Sequence, residues 1–194
     1  GGIATLERQH KILLKRGPGK LSPFFIPMMI ADMASGHVSI VYGFKGPNYA
    51  AVSACASAGN AIADSFMLIK SGLSDAVLTG GTEAGITETS LGGFCALRAL
   101  STRNDEPEKA SRPFDAERDG FVLGEGSGII FLEELEHARK HGSTILAELI
   151  GVGLTGDAYH MTSPPPDGDG AIRAMQAALD VAGIGPSEVG YINA

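Results

Sequence analysis

Apolar positions recur at helical spacing near the start of the chain. Ile3, Leu6, Leu13 and Leu14 mark the inward face of a predicted helix over 3–15, which Gly17-Pro18-Gly19 ends. A second helix is predicted over 28–42, with Pro27 near its first turn and His37 placed among apolar residues as a packed core histidine. The apolar run Tyr49-Ala50-Ala51-Val52 reads as a short buried strand over 49–53, and Ile62, Phe66 and Ile69 then mark a helix over 57–71. Ala76-Val77-Leu78-Thr79 reads as the next buried strand, closed by Gly80-Gly81. Strand, helix, strand in that order predicts a parallel pair with a right-handed crossover.

The second half alternates in the same way. Residues 101–120 are charged and turn-rich, with Pro107 and Pro113, and read as a long functional loop. A β-forming run covers 127–133, a short helix covers 134–141 and Gly142 ends it. A strand is expected over 145–154, a rigid turn over 163–168, a helix over 171–182 capped by Gly183, and the start of a strand over 189–193. The pattern is that of an α/β chain.

Composition narrows the class. A chain of 194 residues is one domain or part of a larger one, and 44% apolar content without tryptophan is enough for a core. No stretch reaches the ~18 continuous apolar residues of a membrane span, and no leader-like segment is visible, so the cytosol is the expected compartment. Two cysteines make no disulfide framework. A net charge of −7 speaks against general nucleic-acid binding. The charge is uneven, however: Arg8, Lys11, Lys15, Arg16 and Lys20 fall in a stretch that holds no acid. Such a stretch is either a solvated helix face or a landing patch for an acidic partner.

The chemistry centres on Cys55. It lies where the predicted strand turns into a helix, among Ala54, Ala56, Ser57, Ala58 and Gly59. Small neighbours let a carbonyl approach closely, and backbone N–H groups at a helix start carry partial positive charge that suits an oxyanion. The same strand–nucleophile–helix logic serves hydrolase serines. Against this stands the common fate of a free cysteine, which is inert packing. Cys95 is read that way, within its helix. Among the histidines, His10 lies beside the basic patch, and His137 and His141 lie on a polar helix. His160 is the best candidate among them for a place near the site, but a structural role in the 157–162 turn outweighs catalysis there.

Longer words carry a resemblance. They are Tyr42-Gly43-Phe44-Lys45-Gly46-Pro47, Thr79-Gly80-Gly81-Thr82-Glu83, Gly92-Gly93-Phe94 and Arg98-Ala99-Leu100-Ser101-Thr102-Arg103-Asn104. Further on come Ser111-Arg112-Pro113-Phe114-Asp115, Asp119-Gly120-Phe121-Val122-Leu123-Gly124-Glu125-Gly126 and Asp157-Ala158-Tyr159-His160-Met161-Thr162. Together they make the chain similar to the β-ketoacyl-[acyl-carrier-protein] synthases of the elongating type, the synthase II group of bacterial fatty-acid synthesis.

The resemblance implies a thiolase-like layered α-β-α-β-α fold, an internal duplication of two βαβ-rich halves. Residues 1–142 would be the remainder of the first half and 143–194 the start of the second. It implies Cys55 as acyl acceptor in a decarboxylative condensation with malonyl-acyl carrier protein. Phe94 and Thr162 match positions at the catalytic end of the pocket. Phe25, Ile26 and Ala54 match positions along the acyl tunnel, with Phe25 and Ile26 reaching in from a partner subunit of a homodimer. Ser90 departs from the usual Pro-Leu-Gly stretch and would narrow or polarise that tunnel. Lys20 and Arg98, with Lys15 and Arg16 of the basic patch, would contact the acidic carrier. Asn193 matches a residue that helps hold a structural monovalent cation, and no organic cofactor is expected. Relatives place about one hundred residues before Gly1 and catalytic histidines after Ala194, so residues 1–194 alone would lack the groups that stabilise the enolate. The competing readings are a thiolase-like or polyketide-type condensing enzyme and an inactive partner subunit. Cys55 argues against the last, because such partners replace the cysteine.

Overall fold

The computed structural model describes residues 1–193. In chain order the regular elements are α1 (Ile3–Arg16), α2 (Met33–Tyr42), α3 (Ser57–Lys70), β1 (Ala76–Glu83), α4 (Glu88–Ala96), β2 (Gly126–Glu133), α5 (Leu135–His141) and α6 (Asp169–Ala182). They fall into two compact units, one of Gly1–Ala50 with Thr82–Gly128, the other of Ala51–Gly81 with Ile129 onward.

In the first unit α1 ends as expected at Gly17, whose N–H caps the Leu13 carbonyl. Its inward face differs from expectation. Leu6 and Leu14 are exposed, and Gln9 is the buried residue, its Oε1 accepting the Ser22 N–H at 2.9 Å. A buried amide with a backbone partner satisfies its polarity and locks the segment after the helix. The helix predicted from Met28 begins only at Met33. Residues 22–30 instead form successive turns, with the N–H groups of Phe25, Met28 and Met29 bonded to the carbonyls of Ser22, Phe24 and Ile26. His37 is exposed on α2, not a core residue.

α4 is capped by Thr87, whose side chain accepts the Ser90 N–H. It is tied to α1 by the Glu7 carboxylate, which accepts the Thr89 N–H at 2.8 Å, and by the Lys11–Glu88 ion pair at 2.7 Å. Cys95 on α4 is exposed, which corrects its assignment as helix packing. The charged 101–120 segment is a long loop as expected, and it is held by its own polar groups. Asp119 accepts from Ser101 Oγ at 2.6 Å, from the Thr102 N–H at 2.8 Å and from Thr102 Oγ1 at 3.1 Å, and it pairs with Arg112 at 3.1 Å. Ser101 Oγ is the first of several groups that hold the Asp119 carboxyl far below the usual carboxylate range.

β1 and β2 form a two-stranded sheet. Asp75, just before β1, accepts the N–H of Glu134, just after β2, so the strands run antiparallel. Among the described residues no strand is formed over 49–53, where the parallel partner was expected. The Ser53 N–H bonds to the Ser57 hydroxyl instead of to a ladder. Gly80-Gly81 does not stop β1, which continues to Glu83. The reason is close approach: a Cβ at Gly81 would lie 2.6 Å from the Cβ of Ala58 on α3. The helices α5 and α6 end at Gly142 and Gly183, both left-handed.

The strand expected over 145–154 forms no ladder. That segment runs against α6, where a Cβ at Gly153 would meet the Ala174 carbonyl and one at Gly151 would lie 2.9 Å from the Ala182 Cβ. Among the described residues no strand forms over 189–193 either; a 3-10 turn, Pro186–Glu188, precedes that segment. Buried apolar residues of the whole described chain are small: Ala63, Ala110 and Ala138. Among the described residues no helix is long and apolar enough to cross a membrane.

Candidate active site

Cys55 sits in the middle of a 3-10 turn, Ala54–Ala56, that runs directly into α3. The turn is entered through Ala54, whose φ of 52° is left-handed and uncommon for a residue with a side chain. Strain of this kind persists only where the surroundings over-determine it. Here they do. The Ala56 N–H bonds the Ser53 carbonyl at 3.1 Å. Ser57 Oγ accepts the Ser53 N–H at 2.9 Å and donates to the Ala54 carbonyl at 2.7 Å. One helical turn further on, Asn60 Nδ2 donates to Ser53 Oγ at 2.6 Å. Ser57 and Asn60 thus clamp both sides of the cysteine turn, a role the sequence analysis did not assign. Their spacing from Ser53 is helical, but small polar residues add nothing to the apolar pattern from which helices are read.

The Cys55 side chain is exposed. It heads a 14-residue helix whose first N–H groups have no side-chain cap. A thiol on a strained turn, with free backbone donors beside it, can act as a nucleophile and present donors to an oxyanion. Also in the second unit, Ala54 is the left-handed residue itself, and Thr162 is exposed, its N–H donating to His160 Nδ1 at 3.2 Å. Thus His160 does the structural work in its turn that the sequence suggested. Asn193, the last described residue, is exposed.

The remaining candidate residues belong to the first unit. Phe94 stacks edge-on against Phe121, with ring centroids 5.1 Å apart and planes at 83°. Behind that pair, Phe121 bonds through its backbone to Ala99 and Ser101. Arg98, at the bend after α4, has a left-handed φ of 57° and an exposed side chain. Ser90 Oγ accepts the Thr87 hydroxyl at 3.1 Å, so it is engaged in the α4 cap. Phe25 is half-buried and Ile26 exposed in the turn-rich apolar segment. Lys15, Arg16 and Lys20 are exposed, and Arg8, Lys11, Lys15 and Arg16 line a shallow groove along α1 together with Ala4, Glu7 and Ile12.

Sequence comparison places these features in a lineage. Residues 1–138 match the family model "Beta-ketoacyl synthase, N-terminal domain" and residues 146–194 match "Beta-ketoacyl synthase, C-terminal domain". The chain is 56% identical over all its 194 residues to a 3-oxoacyl-[acyl-carrier-protein] synthase 2 of Staphylococcus aureus, of which it covers 48%. It is also 56% identical over 194 residues to the enzyme of the same name from Synechocystis sp., of which it covers 47%. The chain therefore spans about half the length of the curated relatives it matches.

Solved structures agree on the fold. A β-ketoacyl synthase from Burkholderia phymatum superposes with a TM-score of 0.89 at 38% identity, over 97% of this chain and 46% of that one. A type II polyketide ketosynthase, solved with its acyl-carrier protein and a bound hexaketide, superposes with a TM-score of 0.92 at 35% identity, over 99% of this chain and 49% of that one. Both are ketosynthases of the thiolase-like α/β fold, the fold class expected from the sequence. With the family model covering 138 residues and the thiol turn set at the head of α3, the chain belongs to the β-ketoacyl synthase family.

Proposed function

We propose that the protein is an acyltransferase of fatty-acid elongation, in which Cys55 carries the growing acyl group. The observation that carries the reading is the exposed thiol on the clamped, left-handed turn at the start of α3. The Cys55 sulfur attacks the thioester carbonyl of an acyl-carrier substrate. The tetrahedral oxyanion collapses, the carrier thiol leaves with a proton, and an acyl-cysteine remains. Malonyl-carrier then loses carbon dioxide, and its C2 carbanion attacks the acyl-cysteine carbonyl. The C–S bond to Cys55 breaks, and a β-ketoacyl-carrier two carbons longer is released. Residues of this chain supply the nucleophile and, through the Cys55 N–H, one oxyanion donor. Family resemblance assigns enolate stabilisation to histidines outside this sequence.

The other assignments follow the same resemblance. Phe94 and Thr162 border the reacting end of the pocket, and Ala54, Phe25, Ile26 and Ser90 border the acyl chain. Lys15, Arg16, Lys20 and Arg98 meet the acyl carrier protein. Asn193 takes part in holding a monovalent cation through its backbone. The protein works as a cytoplasmic homodimer, with the exposed Phe24, Ile26 and Met28 covered at the interface. The boundary between the two halves lies at 142/143. Fatty-acid elongation is preferred over polyketide synthesis because the matches at 56% identity are 3-oxoacyl-carrier synthases, whereas the polyketide ketosynthase stands at 35%.

The test is acylation of the full-length protein by acyl-carrier substrate, followed by mass spectrometry of its peptides. Because Cys55 and Cys95 are both exposed, a general alkylating agent should reach either one. Transfer from the carrier should modify Cys55 alone, and Cys55→Ala should abolish it. Carrier-dependent acylation of Cys95, or persistence of the adduct in Cys55→Ala, would overturn the assignment.

A further inference from the structure

We propose that Glu133, His137 and His141 form a binding site for a divalent transition-metal ion of the zinc class. Glu133 closes β2, while His137 and His141 stand one helical turn apart on α5 and so share a face. One ligand atom from each of the three lies within 4.8 Å of the others. A tetrahedral metal with bonds of about 2.0–2.2 Å needs its ligands roughly 3.4 Å apart, so small side-chain rotations suffice.

The side chains are already arranged around one another. Glu133 Oε1 lies 2.6 Å from His137 Nδ1, and the two imidazole rings are 4.3 Å apart, tilted by 39°. His141 Nδ1 lies 2.8 Å from the His137 carbonyl oxygen. A carbonyl only accepts, so that ring carries its proton on Nδ1 and leaves the Nε2 lone pair for a metal. Fixing one imidazole nitrogen on a backbone carbonyl is how ligating histidines are oriented. The backbone N–H of His137 bonds to Glu134 Oε2 at 2.7 Å, which caps the start of α5 and fixes the backbone that carries both imidazoles.

Chemistry and charge fit the same ion. Two imidazoles and one carboxylate suit zinc, nickel or copper, whereas magnesium and calcium prefer all-oxygen ligands. His141 is the last residue of α5, where unsatisfied carbonyls place partial negative charge that favours a cation. Arg139 is drawn toward Glu136 by a 2.5 Å ion pair. Three protein ligands leave coordination positions open to water, which makes an exchangeable site. The condensation uses none of these residues, so the proposal stands apart from the proposed function. A plain Glu133–His137 ion pair would need no second histidine; a metal site does.

The experiment uses the full-length protein with its thiols alkylated, because exposed Cys55 and Cys95 would compete for the ion. Zinc is titrated by calorimetry, and cobalt is added separately to read coordination from its visible absorption. One saturable site per chain is expected, with magnesium unable to displace the ion. His141→Arg, a change at an exposed position, should weaken binding at least as much as the loss of an outer-shell partner does, roughly 10–100-fold. Glu133→Gln should weaken it as well, and His160→Gln should leave it unchanged. Equal affinity in His141→Arg and the unaltered protein, or no saturable binding at millimolar zinc, would overturn the proposal.

Discussion

Asn60 reaches back across the Cys55 turn to Ser53, its Nδ2 lying 2.6 Å from the serine Oγ. That bond and the two made by the Ser57 hydroxyl join the segment before the cysteine to the first turn of α3. The clamp is what allows Ala54 to hold a φ of 52°. Without it, the chain would relax toward ordinary backbone angles and the thiol would move with it.

Ser57→Ala should therefore loosen the turn. It removes one acceptor and one donor, worth roughly 1–2 kcal/mol together when the orphaned backbone groups find water. Urea denaturation of the full-length protein should register that loss. Acylation of Cys55 should slow by about tenfold, equivalent to ~1.4 kcal/mol of misplacement in the transition state. Ser57→Thr keeps the hydroxyl and should restore most of the rate. A rate unchanged in Ser57→Ala would show that the clamp does not position the thiol.

Gly81 and Gly59 make a matched pair of probes. A methyl group at Gly81 would meet the Ala58 Cβ at 2.6 Å, while nothing lies within 4 Å of one at Gly59. Gly81→Ala should destabilise by about 1–3 kcal/mol, the usual cost of overpacking. Gly59→Ala, inside α3, should be neutral or stabilising by up to about 1 kcal/mol, since alanine is the better helix former. Thermal melts of the two variants side by side decide the matter, and a reversed order would mean that β1 does not pack on α3 as described.

These contrasts also mark what local sequence can reveal. The helices α3, α5 and α6 were legible because apolar spacing and a terminal glycine are local signals, and Gly142 and Gly183 cap where expected. The strands expected over 49–53, 145–154 and 189–193 were not recoverable in the same way. A strand exists only with a partner, and the Ser53 N–H found Ser57 instead. Gly80-Gly81 looked like a break because the helix that requires a missing side chain there lies far back in the chain. Gln9 occupies the buried face of α1 in place of Leu6 and Leu14 because Ser22 offers its amide a partner. At the site itself, Cys55 was legible from its small neighbours, whereas Ser57 counted only as one of them and Asn60 carries no local signal of its hydrogen bond to Ser53.

Asp119 should make the loop before it sensitive to acid. Its carboxyl is held well below the ordinary range, first by Ser101 and then by the Thr102 N–H. A group whose folded pKa is depressed contributes stability above its unfolded value, near 3.9, and loses it as pH falls toward the folded value. Stability plotted against pH should thus fall below about pH 4, and Asp119→Asn should flatten that limb. The same variant should increase amide exchange at Thr102, whose N–H it holds at 2.8 Å. An unchanged acid limb would mean that other carboxylates dominate it.

The basic face of α1 should govern carrier recognition rather than chemistry. Lys15, Arg16 and Lys20 are exposed and follow one another at the end of the helix and the turn after it. Among the described residues none has an ion-pair partner, whereas Lys11 is tied to Glu88 at 2.7 Å. Free cations of this kind steer an acidic partner over a screening distance of roughly 10 Å at 0.1 M salt. Changing Lys15, Arg16 and Lys20 together to Glu should raise KM for an acyl-carrier substrate while leaving kcat nearly unchanged. The salt dependence of kcat/KM should flatten, because the attraction that salt screens is gone. A small acyl thioester without the carrier should react with Cys55 at the original rate, since none of the three residues lies in the 53–60 turn. Equal loss with both substrates would place the defect in folding, and no loss with either would leave α1 as a solvated face.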